Sequence, residues 1–528
     1  MPSNSHVTDY EPLHPRRRGG GLDEPDALRP RAVVVDDGGL FGEGDSFASS
    51  RARRADGRTF DQGDQVSDQQ DGADAKDRED APARAALKHG HALAYAGLFL
   101  FTFVVYFRPY ELVPALAFLA SSVAFSLAIL TLLIYFPTQL GLEGNLTAPL
   151  REVKLAAALC VLALASVPLA INRGEAWDTW VDYLKVVLMF VVMVNVMRTE
   201  KRLRWLVLLL LAASVFLSLG AISDYRAGRF NTGGDRIAGA VGGMFGNPND
   251  LAMHLATMIP LAFTMSLTAR PLKKIIYLAA ALLMAAAIIF TFSRGGFLGL
   301  AAAALVLAWK LGRRHRAAVV VVSIVAVASF VLFMPSEYSD RLTTIVDTAR
   351  DVTGSAGARE QILIVSLSNI VRHPLFGVGM GNFHIVSLHE QVSHNAYTQV
   401  GAELGVPAML AYLLFLLAPW RRLRRVERET LPLRRSRDYY WAVGLQASLA
   451  AYMVSSFFGS VAYLWYIYYL VAFAVAFARI YDSRHATEAT ANDSARDDTG
   501  TAHDERDADE RRADALAPEP FAPRASTG

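Results

Sequence analysis

Two short stretches of the sequence combine residue types that could do chemistry at the edge of an apolar segment. In "FSRGGFLGL", Arg294 stands directly before two glycines. A guanidinium next to backbone amides that glycine leaves open can bind an anion such as phosphate. In "HNAYTQVGAELG", residues 394–405, His394 and Asn395 stand at the mouth of a hydrophobic run. Histidine is the side chain that titrates near neutral pH, so its place at such a boundary predicts either a chemical role or a helix cap.

Two more arginines lie in polar segments near these stretches. Arg236 is in "GGDRIAGAVGGMFGNPND" and Arg359 is in "GARE". Arginines are disfavoured in short loops on the non-cytoplasmic side of a membrane, where the topology given below places all three. Arg236, Arg294 and Arg359 together would suit a diphosphate. The alternative for Arg294 is a cation that anchors a helix end at the lipid headgroups.

The elements that must position these residues are predicted to be membrane-spanning helices. The chain has 528 residues, of which 53% are hydrophobic, and the apolar residues come in long runs. A helical span needs roughly 20 mostly apolar residues, because backbone groups cannot stay unpaired in hydrocarbon. This rule predicts an all-α polytopic membrane protein with about twelve spans. The predicted spans are 92–107, 112–136, 155–171, 179–197, 203–222, 250–269, 274–292, 295–311, 317–334, 402–419, 439–460 and 462–480.

The positions of Lys and Arg predict the orientation, since short loops rich in these residues stay in the cytoplasm. The basic loops are "RTEKRLR", "RPLKK", "KLGRRHR" and "RRLRRVERETLPLRRSR", and they alternate with loops that carry few cations. Both termini are therefore expected in the cytoplasm. Two long segments, 223–249 and 335–395, are expected on the external side, the second between spans nine and ten. The amphipathic stretch 359–371 predicts that the second segment is partly helical and lies on the membrane surface or on the spans.

The two ends of the chain differ in composition from the rest. Residues 1–90 and 482–528 are polar, charged and poor in large apolar residues, so both are expected to be disordered cytoplasmic tails around a membrane domain at 91–481. No secretory leader is expected, because the first apolar stretch begins far from the amino terminus. The net charge of +2 does not imply nucleic acid. Cys160 is the single cysteine and cannot form an internal disulfide.

Over about residues 200–420 the sequence resembles the O-antigen ligase and O-antigen polymerase superfamily of bacterial inner-membrane glycan transferases. The family's pattern of an arginine, three residues and a leucine matches Arg294 to Leu298. Its pattern of a histidine, ten residues and a glycine matches His394 to Gly405. Secondary likenesses are "RIAGAVGGMFGNPNDLA", with Arg236, Asn247 and Asn249, and "HPLFGVGMGNF". Four such elements in order, on one predicted membrane face, make the resemblance strong.

The resemblance implies a transferase of lipid-linked glycans in the bacterial inner membrane. Members take a sugar chain from an undecaprenyl diphosphate carrier at the periplasmic face and join it to an acceptor hydroxyl, without a metal or a nucleotide. No cofactor is therefore expected. The partners would be the lipid-linked donor, an acceptor lipid, protein or glycan, and membrane lipid. The external segments contain no acidic pair of the DxD type, which agrees with a metal-independent reaction.

On this basis His394 is expected to act as a general base or as an orienter of the attacking hydroxyl. On a helical period Tyr397, Thr398, Gly401 and Gly405 would share its face and leave a groove for the acceptor. Displacement at the anomeric carbon, with inversion, would expel the diphosphate, whose charge Arg236, Arg294 and Arg359 would stabilise. The alternative is that His394 and Asn395 form a helix cap.

Further residues are expected to support the site, each with a structural alternative. Glu403 would tune the site or pair with a neighbouring helix. Lys185 would contact phosphate or pair with Asp182 one turn away. Asn247, Asn249 and Asn395 complete the supporting set.

Two functional alternatives remain from sequence. The motifs do not decide between a ligase, which moves a finished chain, and a polymerase, which extends the chain. A transporter or flippase also fits about twelve spans, but such proteins place charges at mid-depth. Here the polar residues gather at one face, which favours an interfacial transferase. A scaffold without chemistry would explain neither the arginines nor the histidine.

Overall fold

The computed structural model of the chain describes residues 90–120, 122–230, 236–239, 241–312, 355–387, 390–432 and 436–488. The predicted tails up to residue 89 and after residue 488 lie outside these residues, as do the predicted span 317–334 and the start of the second external segment. The described part beyond residue 481, predicted to belong to the second tail, continues the last helix to residue 488.

The described elements are helices, joined by connections of very different length. The helices are α1 (Ala92–Phe107), α2 (Val123–Glu143), α3 (Arg151–Ser166), α4 (Arg173–Val196), α5 (Glu200–Arg226), α6 (Pro248–Leu267), α7 (Pro271–Phe290), α8 (Arg294–Leu311), α9 (Ser355–Arg372), α10 (Ala396–Leu404), α11 (Val406–Thr430), α12 (Arg437–Ser455) and α13 (465–488). Single helical turns occur at Pro109–Leu112, Pro114–Leu119, Val167–Leu169, Gly243–Phe245, Phe383–Val386 and Ser456–Phe458.

Within the described residues, nine helices are long and apolar enough to cross a membrane: α2 to α8, α11 and α12, where α3 and α12 include the turn that follows each of them. Helix α1 is apolar but shorter. Each spanning helix satisfies its own backbone hydrogen bonds, which is why apolar runs of this length fold as helices in lipid. The predicted all-α polytopic membrane protein is confirmed.

Two predicted spans differ from the structure. The span predicted at 112–136 is displaced, because the chain makes two helical turns after Arg108 and begins α2 only at Val123. The span predicted at 402–419 is two helices, α10 and α11, separated by Gly405. Gly405 has φ 86°, and a Cβ there would meet the backbone carbonyl of Leu375 at 2.5 Å. Any residue other than glycine at position 405 would be strained by the positive φ and would also clash with the backbone of Leu375.

Contacts between the ends of the helices show that the bundle has two chemically different ends. At one end, here called the basic end, cations and carboxylates from different helices pair, for example Arg198 with Glu143 at 2.7 Å and Arg422 with Glu152 at 2.6 Å. The other ion pairs at this end include Lys310 with Glu427, Arg437 with Glu200, Arg425 with Asp482, and Arg484 with Asp438. The described parts of the four predicted cytoplasmic loops all lie here.

The opposite end, here called the site end, gathers the described parts of both long predicted external segments. The start of α6 meets the start of α8 there, since Ser293 Oγ donates to Asn249 Oδ1 at 3.0 Å. The turn 377–383 meets the start of α4, since the Asn172 N–H donates to Asn382 Oδ1 at 2.6 Å. This is the end that carries Arg294 and His394.

Candidate active site

Arg294 is the first residue of α8. Ser293 caps the helix, and its Oγ accepts the Gly296 N–H at 3.2 Å. Arg294 is half-buried, whereas Gly295 and Gly296 are buried. The expectation that the two glycines open amides to an anion is therefore wrong at Gly296, because the cap already uses that N–H.

The glycines of α8 instead permit close helix packing. A Cβ on Gly295 would lie 2.7 Å from Phe458 Cβ, and a Cβ on Gly296 would overlap Ala252 of α6. Gly299 faces α12, where a Cβ would lie 2.8 Å from the Ala451 carbonyl oxygen and would overlap Ser455 Oγ. These contacts fix the start of α8, and so Arg294, against α6 and α12.

Gly299→Ala is expected to destabilise the protein, because an added methyl group in this contact forces α8 away from α12. Overpacking of this kind costs about 1–3 kcal/mol, so the unfolding temperature in detergent should fall by several degrees. Gly141→Ala in α2 is the matched control, since nothing lies within 4 Å of its Cβ position. Equal unfolding temperatures for the two variants would contradict the packing role.

Arg236 is held beside the start of α8 by a shared network. Its Nη2 donates to Asn249 Oδ1 at 2.8 Å and its Nε donates to the Thr291 carbonyl at 3.2 Å. Asn249 Oδ1 also accepts from Ser293, the residue before Arg294. Asn247 caps α6 and accepts the Asn249 N–H at 2.8 Å. The structure thus brings Arg236, Asn247, Asn249 and Arg294 together at one corner, here called the arginine corner.

His394 lies just outside α10, not on its face. It adopts the left-handed region with φ 51°, and its N–H donates to Ser460 Oγ at 2.8 Å. Asn395 is the helix cap, with Oδ1 accepting the N–H groups of Tyr397 and Thr398. The cap alternative is therefore right for Asn395. The cap leaves the His394 side chain outside the helical hydrogen-bond pattern.

The predicted groove along α10 is not open. Thr398 is buried, with Oγ1 2.9 Å from Ser393 Oγ, and the Tyr397 hydroxyl donates to the Met453 carbonyl at 2.7 Å. Gly401 packs against Ile370 of α9. The prediction of a shared face fails because the helical period begins only after the cap, one residue beyond His394.

Helix α9 places Arg359 near His394. Ser366 of α9 lies 3.3 Å from Ser393, and Ile362 is buried with Phe383 and Ala402. Burial and the nearby Arg359 guanidinium lower the pKa of His394 to about 4. The imidazole is therefore neutral at pH 7 and can accept a proton or a hydrogen bond. The second segment predicted to be external is helical at α9, as expected.

The segment 455–460 connects this histidine to the arginine corner. Ser455 Oγ donates to the Gly295 carbonyl at 3.0 Å, Phe458 packs on Gly295, and Ser460 accepts from His394. A Cβ on Gly459 would lie 3.9 Å from Asp250 Oδ1, in the first turn of α6. Sequence reasoning missed Ser460 and Asp250. The polar break "SSFFGS" between two apolar runs was the available signal.

Glu403 and Lys185 lie apart from these contacts. Glu403 is buried in the last turn of α10 with 4% exposure, and the Gly379 N–H donates to its backbone carbonyl at 3.0 Å. Lys185 Nζ pairs with Asp182 Oδ1 at 2.6 Å and lies 5.6 Å from the centre of the Phe125 ring. The pairing alternative for Lys185 is thus observed, and a phosphate contact there stays a prediction.

The comparisons with known proteins agree with these motifs. Residues 279–413 match the family model described as O-antigen ligase. The matched range includes Arg294, Arg359, His394 and Glu403, but not Arg236, Asn247 or Asn249. No curated protein matches the chain. At the level of the family, the match supports a membrane glycan transferase of the ligase or polymerase kind. Residues 279–413 are thus similar to the O-antigen ligase family, and the resemblance found in the sequence is confirmed over this range.

Proposed function

We propose that this protein is a transferase that moves a glycan from an undecaprenyl diphosphate carrier to an acceptor hydroxyl at the periplasmic face of the bacterial inner membrane. One observation supports this function most. The arginine corner and the His394–Arg359 pair occupy the same end of the bundle and are joined through the segment 455–460. Cations and a neutral base, held by different helices, are what the displacement of a diphosphate requires.

The orientation is supported by charge. The basic end contains the described parts of the Lys- and Arg-rich loops, and such loops stay in the cytoplasm. The site end then faces the periplasm, where lipid-linked glycans are presented to acceptors. Both termini would lie in the cytoplasm, because α1 begins and α13 ends at the basic end, as the contacts of Tyr95 with Arg202 and of Arg479 with Val194 indicate.

The proposed step is a displacement at the anomeric carbon with inversion. The acceptor oxygen forms a bond to that carbon while its proton passes to the neutral His394 imidazole. The bond between the carbon and the diphosphate oxygen breaks, and the diphosphate leaves with the electron pair. Arg236, Arg294 and Arg359 would stabilise the negative charge that develops on the leaving group. Asn247, Asn249 and Asn395 would support the site by fixing the starts of α6 and α10.

A deletion strain tests this function by its surface glycans and its lipid-linked intermediates. If the protein is a ligase, loss of the gene should leave long chains on the lipid carrier and remove them from the acceptor. The polymerase alternative predicts instead that single repeat units accumulate and long chains are never made. Normal glycans and normal intermediates in the deletion strain would contradict the transferase function and favour a transporter.

A further inference from the structure

Three buried polar side chains meet beside the carboxyl end of α10. Gln399 is 7% exposed and Glu403 is 4% exposed, and Tyr463 reaches them from the segment between α12 and α13. Gln399 Oε1, Glu403 Oε2 and the Tyr463 hydroxyl are buried atoms without a hydrogen bond of good geometry to any other described residue. Three such atoms within one contact group are unusual, because an unmade buried hydrogen bond is costly.

The surrounding backbone holds Glu403 in place. Gly377 and Gly379 have positive φ and let the turn 377–383 wrap around the last turn of α10. The Val378 N–H donates to the Ala402 carbonyl at 2.9 Å, and the Gly379 N–H donates to the Glu403 carbonyl at 3.0 Å. These two hydrogen bonds hold the backbone of Glu403 against the turn.

The protonation state of Glu403 decides whether the three groups can satisfy one another. The groups that face its carboxyl are Gln399 on α10, Tyr463, and the backbone amides of Gly381 and Phe383. Burial raises the pKa of Glu403 to about 7, and it outweighs the hydrogen bonds from these same neighbours, which lower the pKa. A protonated carboxyl can donate to Gln399 Oε1 and still accept from Tyr463, whereas an ionised one leaves Gln399 Oε1 without a donor.

We propose that Glu403 acts as a neutral carboxylic acid that links Gln399 and Tyr463, and that it is a positioning residue for His394 through α10. Gln399 lies one turn after Asn395, and its N–H donates to the Asn395 carbonyl at 2.9 Å. Tyr463 belongs to the same chain segment as Ser460, which holds the His394 backbone. Glu403 thus fixes both neighbours of His394. This role rests on the proposed transferase function.

The first test measures transfer from the lipid-linked donor against pH, between pH 6 and 9, with purified protein in vesicles. The wild-type rate should fall several-fold as the pH rises through about 7, because ionised Glu403 can no longer donate a hydrogen bond to Gln399 Oε1. Glu403→Gln keeps both hydrogen bonds, so it should be within about 3-fold of wild type at pH 6 and should lose this pH dependence. Glu403→Ala should be at least about 10-fold slower at every pH, mainly in kcat.

Two variants complete this experiment. Tyr463→Phe removes a donor that favours the ionised carboxyl, so the midpoint of the fall should move to higher pH. Glu360→Gln on α9 is the control, since Glu360 is exposed and should behave as wild type. Two results would overturn the proposal. In the first, Glu403→Gln keeps the wild-type pH profile; in the second, it is as slow as Glu403→Ala at pH 6.

A second measurement separates this role from the transferase function itself. A carboxyl whose pKa is higher in the folded than in the unfolded protein contributes its full stabilisation at a pH below its unfolded pKa of about 4.5. This stabilisation is lost as the pH rises through the folded pKa of about 7. The unfolding temperature of wild type should therefore fall by several degrees between pH 5 and 8 relative to Glu403→Gln. If the unfolding temperature falls in this way but the protein shows no transfer activity, the proposed function is wrong and the neutral state of Glu403 is still supported. If it does not occur, the neutral carboxyl is wrong.

Discussion

Arg294→Ala should lower the rate of glycan transfer by about 100- to 1,000-fold, which is the usual effect of removing one group that stabilises developing negative charge. Arg294 is the cation at the start of α8, next to the network that holds Arg236. Arg294→Lys keeps the charge but loses the planar fork that binds two phosphate oxygens, so an intermediate rate is expected. The measurement is the initial rate of transfer in vesicles, at equal amounts of folded protein.

Arg270→Ala is the matched control for this prediction. Arg270 is also an arginine at the start of a spanning helix, but it is exposed and precedes α7 at the basic end. Its removal should leave the rate within about 2-fold of wild type, because surface charges far from the reacting atoms contribute little. An Arg294→Ala protein that transfers at half the wild-type rate or faster would show that Arg294 only anchors its helix.

His394→Ala should lower transfer by about 100- to 10,000-fold, the range for loss of a general base. Donor binding should change little, since the diphosphate is expected to contact the arginines, so the loss should appear in kcat. Because the pKa of His394 is about 4, its protonation should reduce the wild-type rate only below about pH 4. The measurement is the transfer rate at saturating donor, together with the KM for the donor.

His373→Ala is the control for His394, because His373 is exposed and lies just before Pro374 in the same external segment. It should retain wild-type kinetics. A His394→Ala protein with normal kcat and normal folding would rule out the base and orienter roles. A raised KM with unchanged kcat would instead move His394 from the reacting atoms to donor binding.

Local sequence signals predicted local structure well. Apolar run length located most spans because a helix in lipid must satisfy its own backbone groups. The helix cap at Asn395 could be predicted as an alternative because a cap depends only on neighbouring residues. The two departures have local physical causes as well. Gly405 breaks a run that is continuous in composition, and the helical turns after Arg108 delay the start of α2.

Contacts between distant residues could not be predicted in the same way. The spacing of "RGG" is compatible with an anion site and with helix packing, and only the positions of Ala252 and Phe458 decide for packing. Ser460 lies 66 residues after His394, so no local pattern links them. The pair of Arg236 and Asn249 was expected near Arg294, but the motif did not reveal that Asn249 Oδ1 serves both Arg236 and Ser293.

The central claim is best tested by reconstituting the purified wild-type protein in vesicles with a defined undecaprenyl diphosphate-linked glycan and a set of acceptors. The account predicts that glycan appears on an acceptor while one undecaprenyl diphosphate is released for each glycan transferred, and that the Arg294→Ala, His394→Ala double variant abolishes both. The account would be contradicted if wild type and the double variant released undecaprenyl diphosphate and transferred glycan at equal rates. It would also be contradicted if folded wild type showed no turnover with a lipid, protein or glycan acceptor.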